Sequence, residues 1–331
     1  MHRHIVNSPE SAAEEALEGL ALTHPQLVAY NREAGIVTRP EPARDKVGLV
    51  SGGGCGHEPL HAGFVGHGML DAAVPGALFA SPTALQVLNG TVAADSGRGV
   101  VQIVKNYTGD VLNFRIAGEL AGDDAVKTEV VLVDDDLATD GQEDGPGRRG
   151  TAAVLAVEKI CGAAAEAGAE LGEVAALGRR VARRARTLSL AVRAGTHPGA
   201  DGPAFVLPEG EVELGVGIHG ERGTGRIAFA DADQLIAELV DPLAAALELG
   251  RGSSVIAIVN GLGGACPLEL SVCARTVHRR LAGQGVTIAR SLAGSYVTSL
   301  DMHGVSVTLL PVDADLLPLW DASVRTPALT W

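Results

Sequence analysis

The stretch GLVSGGGCGHEP, residues 48–59, sets an apolar run against a series of glycines and then a histidine. Residues 46–50 predict a buried strand. Ser51, Gly52, Gly53, Gly54, Cys55 and Gly56 predict a loop that brings backbone N–H groups close to something small or anionic. His57 is the first side chain beyond it with acid–base capacity.

Strands alternate with helices outward from this point. Residues 8–25 carry a helix signal, with Ser8 or Ser11 as cap and acidic residues early. Pro25 and Pro40 bracket a segment read as irregular and lying across the surface. Residues 84–92 predict a helix, 99–104 a central strand apolar on both faces, and 130–133 a further strand ending in Asp134, Asp135 and Asp136. Residues 140–150, DGQEDGPGRRG, are a loop by composition. Two alanine-rich helices are expected over 151–167 and 171–189. A second block then predicts strands at 212–216, 255–259, 286–289 and 304–310, with helices at 231–249 and 268–282. The expected fold is α/β: two α/β domains, each a mostly buried sheet flanked by helices, over 1–186 and 187–331.

Composition agrees. At 331 residues the chain has the length of about two domains. Hydrophobic content of 46% with 43 glycines and 3% aromatics implies an Ala/Val/Leu/Ile core crossed by tight turns. A formal net charge of −14 excludes a nucleic-acid backbone binder, which needs a concentrated basic face. The basic run 179–186 reads as a solvated helix face. There is no signal-like apolar segment at the N-terminus and no apolar window of membrane-spanning length. Cys55, Cys161, Cys266 and Cys273 have no zinc-like spacing and read as reduced thiols of a cytoplasmic protein.

Three segments end an apolar strand in glycine beside a group that moves protons. They are SGGGCGHEP with His57, VKNYTGD with Lys105 and Asp110, and ELGVGIHGERG with His219. Taken singly, each histidine reads as well as a structural residue, and the Asp after Gly as a turn former. Ligands of α/β proteins collect at the carboxyl ends of strands, so the three together suggest convergence on one pocket. A neutral imidazole such as His219 can attack a ketone carbon to give a hemiaminal, and Asp110 can act as base on a hydroxyl. Lys105 can hydrogen-bond the substrate or balance the carboxylate. No GxxxxGK[ST] loop and no protein-kinase motif set is present, so a nucleotide is expected on another polypeptide. Asp134 to Asp136 read as a solvated turn in preference to a magnesium site, and no metal is expected on this chain.

At these residues the sequence resembles the K subunit of the dihydroxyacetone kinase family, over about residues 7–331. The motifs are LVSGGGCGHEPLHAGFVGHGMLDAAVPG, FASPT, VKNYTGDVLNF, GRRGTAAVLAVEKICGAAAEAG, ELGVGIHGERG, SYVTSLDMHGVSVTLLPVD and LWDASVRTPALTW. The resemblance implies that His219 holds dihydroxyacetone as a hemiaminal, with His57 assisting as acid or base. It implies Asp110 as catalytic carboxylate, Lys105 as a substrate contact, and Gly54, Cys55 and Gly56 as lining of the sugar site. It further implies a homodimer, an L subunit carrying a magnesium nucleotide (ADP/ATP), and a phosphocarrier subunit fed from phosphoenolpyruvate. No cofactor is expected on this chain, which reads as the stand-alone subunit. Cys55 stands where the family usually has serine, which keeps a four-carbon ketose such as erythrulose open as substrate. The stretch between GIHGERG and Val255 is shorter than in some members. A catalytically silent ketone sensor acting on a transcriptional regulator is the competing reading, and the retained Asp110 and His57 speak against it.

Overall fold

A computed structural model of the chain describes residues 4–123, 125–141 and 147–331. It divides into two compact units. The first comprises residues 6–133, 154–183 and 315–331; the second comprises residues 4–5, 134–153 and 184–314. The chain therefore passes repeatedly between the units, whereas a single cut at 186/187 would assign 134–153 and 315–331 differently. The part of the loop at 142–146 lies outside the described residues.

The first unit is built on six strands: β1 (Ala29–Asn31), β2 (Ile36–Thr38), β3 (Gly48–Cys55), β4 (Ala72–Leu78), β5 (Val100–Lys105) and β6 (Thr128–Val133). Their order is β1-β2-β4-β3-β5-β6. β4, β3, β5 and β6 run parallel, and β2 joins β4 antiparallel. Helices α2 (Ala84–Ala94) and α3 (Thr108–Asp123) make the crossovers between parallel strands, and α1 (Ala12–Thr23) precedes the sheet. Every position of β3 and of β5 is buried, as parallel strands covered on both faces require. The segment between Pro25 and Pro40 is not irregular: Ile36 and Val37 are buried in β2. Pro75 and Gly76 disguise β4 in the sequence, yet it pairs with β3 from Val50↔Ala72 to Cys55↔Leu78.

The helices α4 (Ala153–Glu166) and α5 (Leu171–Arg184) complete this unit, with a short closing helix Leu316–Trp320. Helix α4 is buried from Ala153 to Ala165. A helix that is apolar all round belongs in a core, so the two charges inside it, Glu158 and Lys159, need partners. Lys159 Nζ faces the rings of Trp320 and Trp331 at 5.6 and 5.0 Å and donates to Ala322 O at 3.3 Å. Helix α5 stops at Arg184 rather than running on to residue 189. Residues 186–189 pair instead within a sheet of the second unit, with Leu188 opposite Val307.

That sheet has the order β11-β10-β12-β7-β8-β9. Its strands are β7 (Arg186–Arg193), β8 (Glu211–Leu214), β9 (Gly225–Ala228), β10 (Ser254–Gly261), β11 (Thr287–Gly294) and β12 (His303–Pro311). β10 and β11 are parallel and the other neighbours antiparallel. Helices α6 (Ala232–Ala246) and α7 (Pro267–Gly283) share a core with the sheet that includes Leu239, Val240, Leu243, Val255, Val259 and Val277. Among the described residues no helix is long and apolar enough to cross a membrane.

Candidate active site

The glycines after Ser51 continue the strand instead of leaving it. Gly52, Gly53 and Gly54 stand opposite Val74, Pro75 and Gly76 of β4. The chain turns at Gly56, where φ is +103° and an added Cβ would lie 2.4 Å from the Phe79 ring. Only glycine meets both conditions. Glu58 closes this turn, its carboxylate oxygens accepting from Gly56 N–H at 2.9 and 3.1 Å. His57 follows, 1% exposed, with its ring stacked on Phe79 at 4.9 Å. Burial, with the neighbouring Glu58 charge, pushes the Cys55 thiol up to about 12, so it stays protonated. Gly54 and Cys55 border a cavity of about 470 Å³ whose lining includes Leu17 and Leu20 of α1.

Lys105 is the last residue of β5, and Asp110 sits in the first turn of α3, where the helix dipole favours an anion. Both are buried. Lys105 Nζ donates to Gly52 O at 3.2 Å and stands 4.0 Å from Asp110 Oδ2. An added Cβ on Gly53 would approach Nζ to 2.6 Å and Asp110 Oδ2 to 3.6 Å. Gly53 is thus the bare floor on which an ammonium and a carboxylate face one another.

Two further groups continue the line away from Asp110. His61 Nε2 lies 2.8 Å from Lys105 Nζ, and His61 Nδ1 lies 2.6 Å from Glu158 Oε1 on α4. Burial and the Lys105 charge hold His61 well below the usual histidine range, so the imidazole is neutral. Burial pushes Glu158 up to about 8, against the pull of the Lys105 ammonium. Burial likewise lowers Lys105, opposed by Asp110 and Glu158. Sequence reasoning missed Phe79, His61 and Glu158, and placed Gly53 in a loop without its role beneath Lys105 and Asp110. The available signal was the charged pair Glu158–Lys159 inside an otherwise apolar helix.

The second unit carries His219 in the turn after β8. Glu221 Oε2 accepts from the His219 backbone N–H at 2.8 Å, and Oε1 lies 3.2 Å from Nδ1. Burial works to raise the Glu221 carboxyl, yet the hydrogen bond from His219 and the Arg149 charge hold it below the ordinary value. A carboxylate only accepts, so the ring hydrogen sits on Nδ1 and the lone pair on Nε2. Arg149 supports this turn, donating to Gly215 O at 2.8 Å and to Asp136 Oδ2 at 2.7 Å.

The three aspartates are therefore not a solvated turn. Asp136 is buried on Arg149, and burial raises it to about 6. Asp135 accepts from Thr151 N–H at 2.6 Å, Thr151 O–H at 2.7 Å, Ala153 N–H at 2.9 Å and the Thr187 hydroxyl. Asp134 pairs with Arg148 at 2.9 Å. Their carboxylates are engaged in holding the chain. Of the expected site residues, Gly54, Cys55, Gly56, His57, Lys105 and Asp110 belong to the first unit and His219 to the second.

The Dak1 domain family matches residues 18–328. A protein of Escherichia coli K12, the dihydroxyacetone-binding subunit of a PEP-dependent dihydroxyacetone kinase, is 41% identical over 351 residues. That match covers 99% of each chain. The corresponding subunit of a PTS-dependent kinase from Listeria innocua is 44% identical over 309 residues, covering 93% of this chain and 94% of the other. Among solved structures, a dihydroxyacetone kinase operon co-activator superposes with a TM-score of 0.91 at 34% identity, covering 95% of this chain and 97% of its own.

Proposed function

Since the chain belongs to the Dak1 domain family, we propose that it is the dihydroxyacetone-binding catalytic subunit of a cytoplasmic dihydroxyacetone kinase. It is then a phosphotransferase with an alcohol acceptor. The observation that carries the reading is the pairing of Asp110 Oδ2 and Lys105 Nζ over the bare floor of Gly53. A subunit that only senses a ketone has no use for a buried base beside a buried ammonium.

In this reading His219 Nε2 attacks the ketone carbon. The new N–C bond forms as the carbonyl electrons move to oxygen, and the imidazole hydrogen ends on the resulting hydroxyl. No water is lost. The buried, stacked His57 assists that proton movement as acid or base. Asp110 takes the proton of a terminal hydroxyl, whose oxygen becomes the nucleophile for phosphoryl transfer. Gly54, Cys55 and Gly56 line the sugar, and the thiol of Cys55 is a weaker donor than a hydroxyl. Erythrulose is the alternative substrate that this thiol keeps in contention.

The phosphoryl donor is a magnesium nucleotide on a separate L subunit, recharged by a phosphocarrier from phosphoenolpyruvate. The glycine run of this chain is a paired strand without a phosphate-loop lysine, which supports a nucleotide held elsewhere. A homodimer of this subunit completes the assembly. The co-activator at 34% identity favours one rival, a ketone sensor. Reconstitution with an L subunit and a phosphoryl donor separates the two. Formation of dihydroxyacetone phosphate supports the kinase, and binding of the ketose without product supports the sensor.

A further inference from the structure

The line of buried groups behind Lys105 has no part in the chemistry just described. An ammonium offers only donors, so the 2.8 Å contact makes His61 Nε2 the acceptor of a hydrogen from Lys105 Nζ. A neutral imidazole then carries its own hydrogen on Nδ1 and donates it to Glu158 Oε1 at 2.6 Å. Glu158 has no exposed surface and lies in a helix made mostly of small apolar residues. A carboxyl group so placed costs stability, and an apolar side chain would serve packing better. Its observed aim, through an imidazole at the ammonium beside Asp110, points to a task at Lys105.

We propose that His61 and Glu158 are positioning residues for Lys105. The Glu158 carboxyl group, acting through the His61 imidazole, holds Nζ directed at the acceptor hydroxyl that Asp110 deprotonates. This rests on the reading of Lys105 and Asp110 given above. The titratable groups around the line are Asp110 from α3, His57 from the turn after β3, and Glu158 and Cys161 from α4. Lys159, next to Glu158, is directed at Trp320 and Trp331 instead.

The experiment uses the subunit with its L partner and a phosphoryl donor. In Glu158→Gln, whose amide oxygen still accepts from His61 but carries no charge, kcat above about pH 8 is expected to fall roughly tenfold, the scale of a hydrogen bond to a charged group, while KM for dihydroxyacetone stays the same. Above about pH 8, where Glu158 ionises, the variant lacks the carboxylate that keeps the Lys105 ammonium protonated, so the alkaline limb of kcat moves to lower pH. His61→Gln, whose amide can accept from Nζ and donate to Glu158, should keep more activity than His61→Leu. Intact-mass detection of the His219 adduct shows that each variant is folded. A wild-type kcat and unmoved alkaline limb in Glu158→Gln overturn the proposal and leave the site reading intact. An equal loss in His61→Gln and His61→Leu with no change in pH profile marks a merely structural role and overturns it too. Absence of turnover and adduct in the wild-type complex defeats the underlying site reading itself.

Discussion

Glu221 holds His219 at two points, with one carboxylate oxygen 2.8 Å from the backbone nitrogen and the other 3.2 Å from Nδ1. The pairing decides which ring nitrogen can act as nucleophile. With the hydrogen kept on Nδ1, Nε2 bears the lone pair.

Glu221→Gln replaces an obligate acceptor by an amide that can also donate, so this tautomer loses its bias. The rate of adduct formation with dihydroxyacetone is expected to fall about tenfold, matching the ~1.5 kcal/mol of a hydrogen bond to a charged group. Mass analysis of samples quenched over time measures it, and an unchanged rate contradicts the assignment.

Gly53→Ala tests the floor beneath Lys105 and Asp110. Its Cβ would arrive 2.6 Å from Nζ, so the ammonium must move. Displacement of a reacting group by about 1 Å costs roughly 10²-fold in rate. Turnover in the reconstituted complex should drop on that scale while the His219 adduct still forms. Full turnover in this variant would show that Nζ has room the geometry denies.

Stability should depend on pH through Glu158. Burial raises its carboxyl from the ordinary 4.5 to about 8. The folded chain thus keeps a proton that the unfolded chain releases, and stability falls as pH rises from 4.5 toward 8. Glu158→Gln removes this loss. Denaturant midpoints of variant and wild type should diverge in the variant's favour over that range, and parallel curves contradict the shift.

Asp135→Ala addresses the acidic run after β6. It removes the acceptor of two backbone N–H groups and two threonine hydroxyls, all buried. A loss of at least about 2 kcal/mol is expected from an N-terminal cap and the polar groups left unsatisfied. Chemical denaturation reads it. Magnesium should not raise the melting temperature of the wild-type chain through these residues, since hydrogen bonds already engage them.

Much of this arrangement was legible in the chain. Lys105 and Asp110 were singled out because the strand at 99–104 runs directly into VKNYTGD, which carries both; helix α3, which places Asp110 in its first turn, gave no such signal. The glycine run misled, because residues without side chains resemble a loop; β3 instead uses them where neighbouring groups approach closely. Asp134 to Asp136 looked solvated, since composition carries no information on the threonines and arginines that fold back onto them. Glu158 was hidden for a related reason. Its partner His61 is 97 residues away in sequence, and only the fold of the first unit brings α4 alongside. Residues 186–189 show tertiary pairing overriding local helix propensity.

Intact-mass analysis of the purified chain incubated with dihydroxyacetone, beside His219→Ala, tests the central claim most directly. The account predicts a mass increase equal to one whole ketose, with no water lost, located at His219 and absent from the variant. An unmodified wild-type chain, or an adduct that persists in His219→Ala, contradicts it.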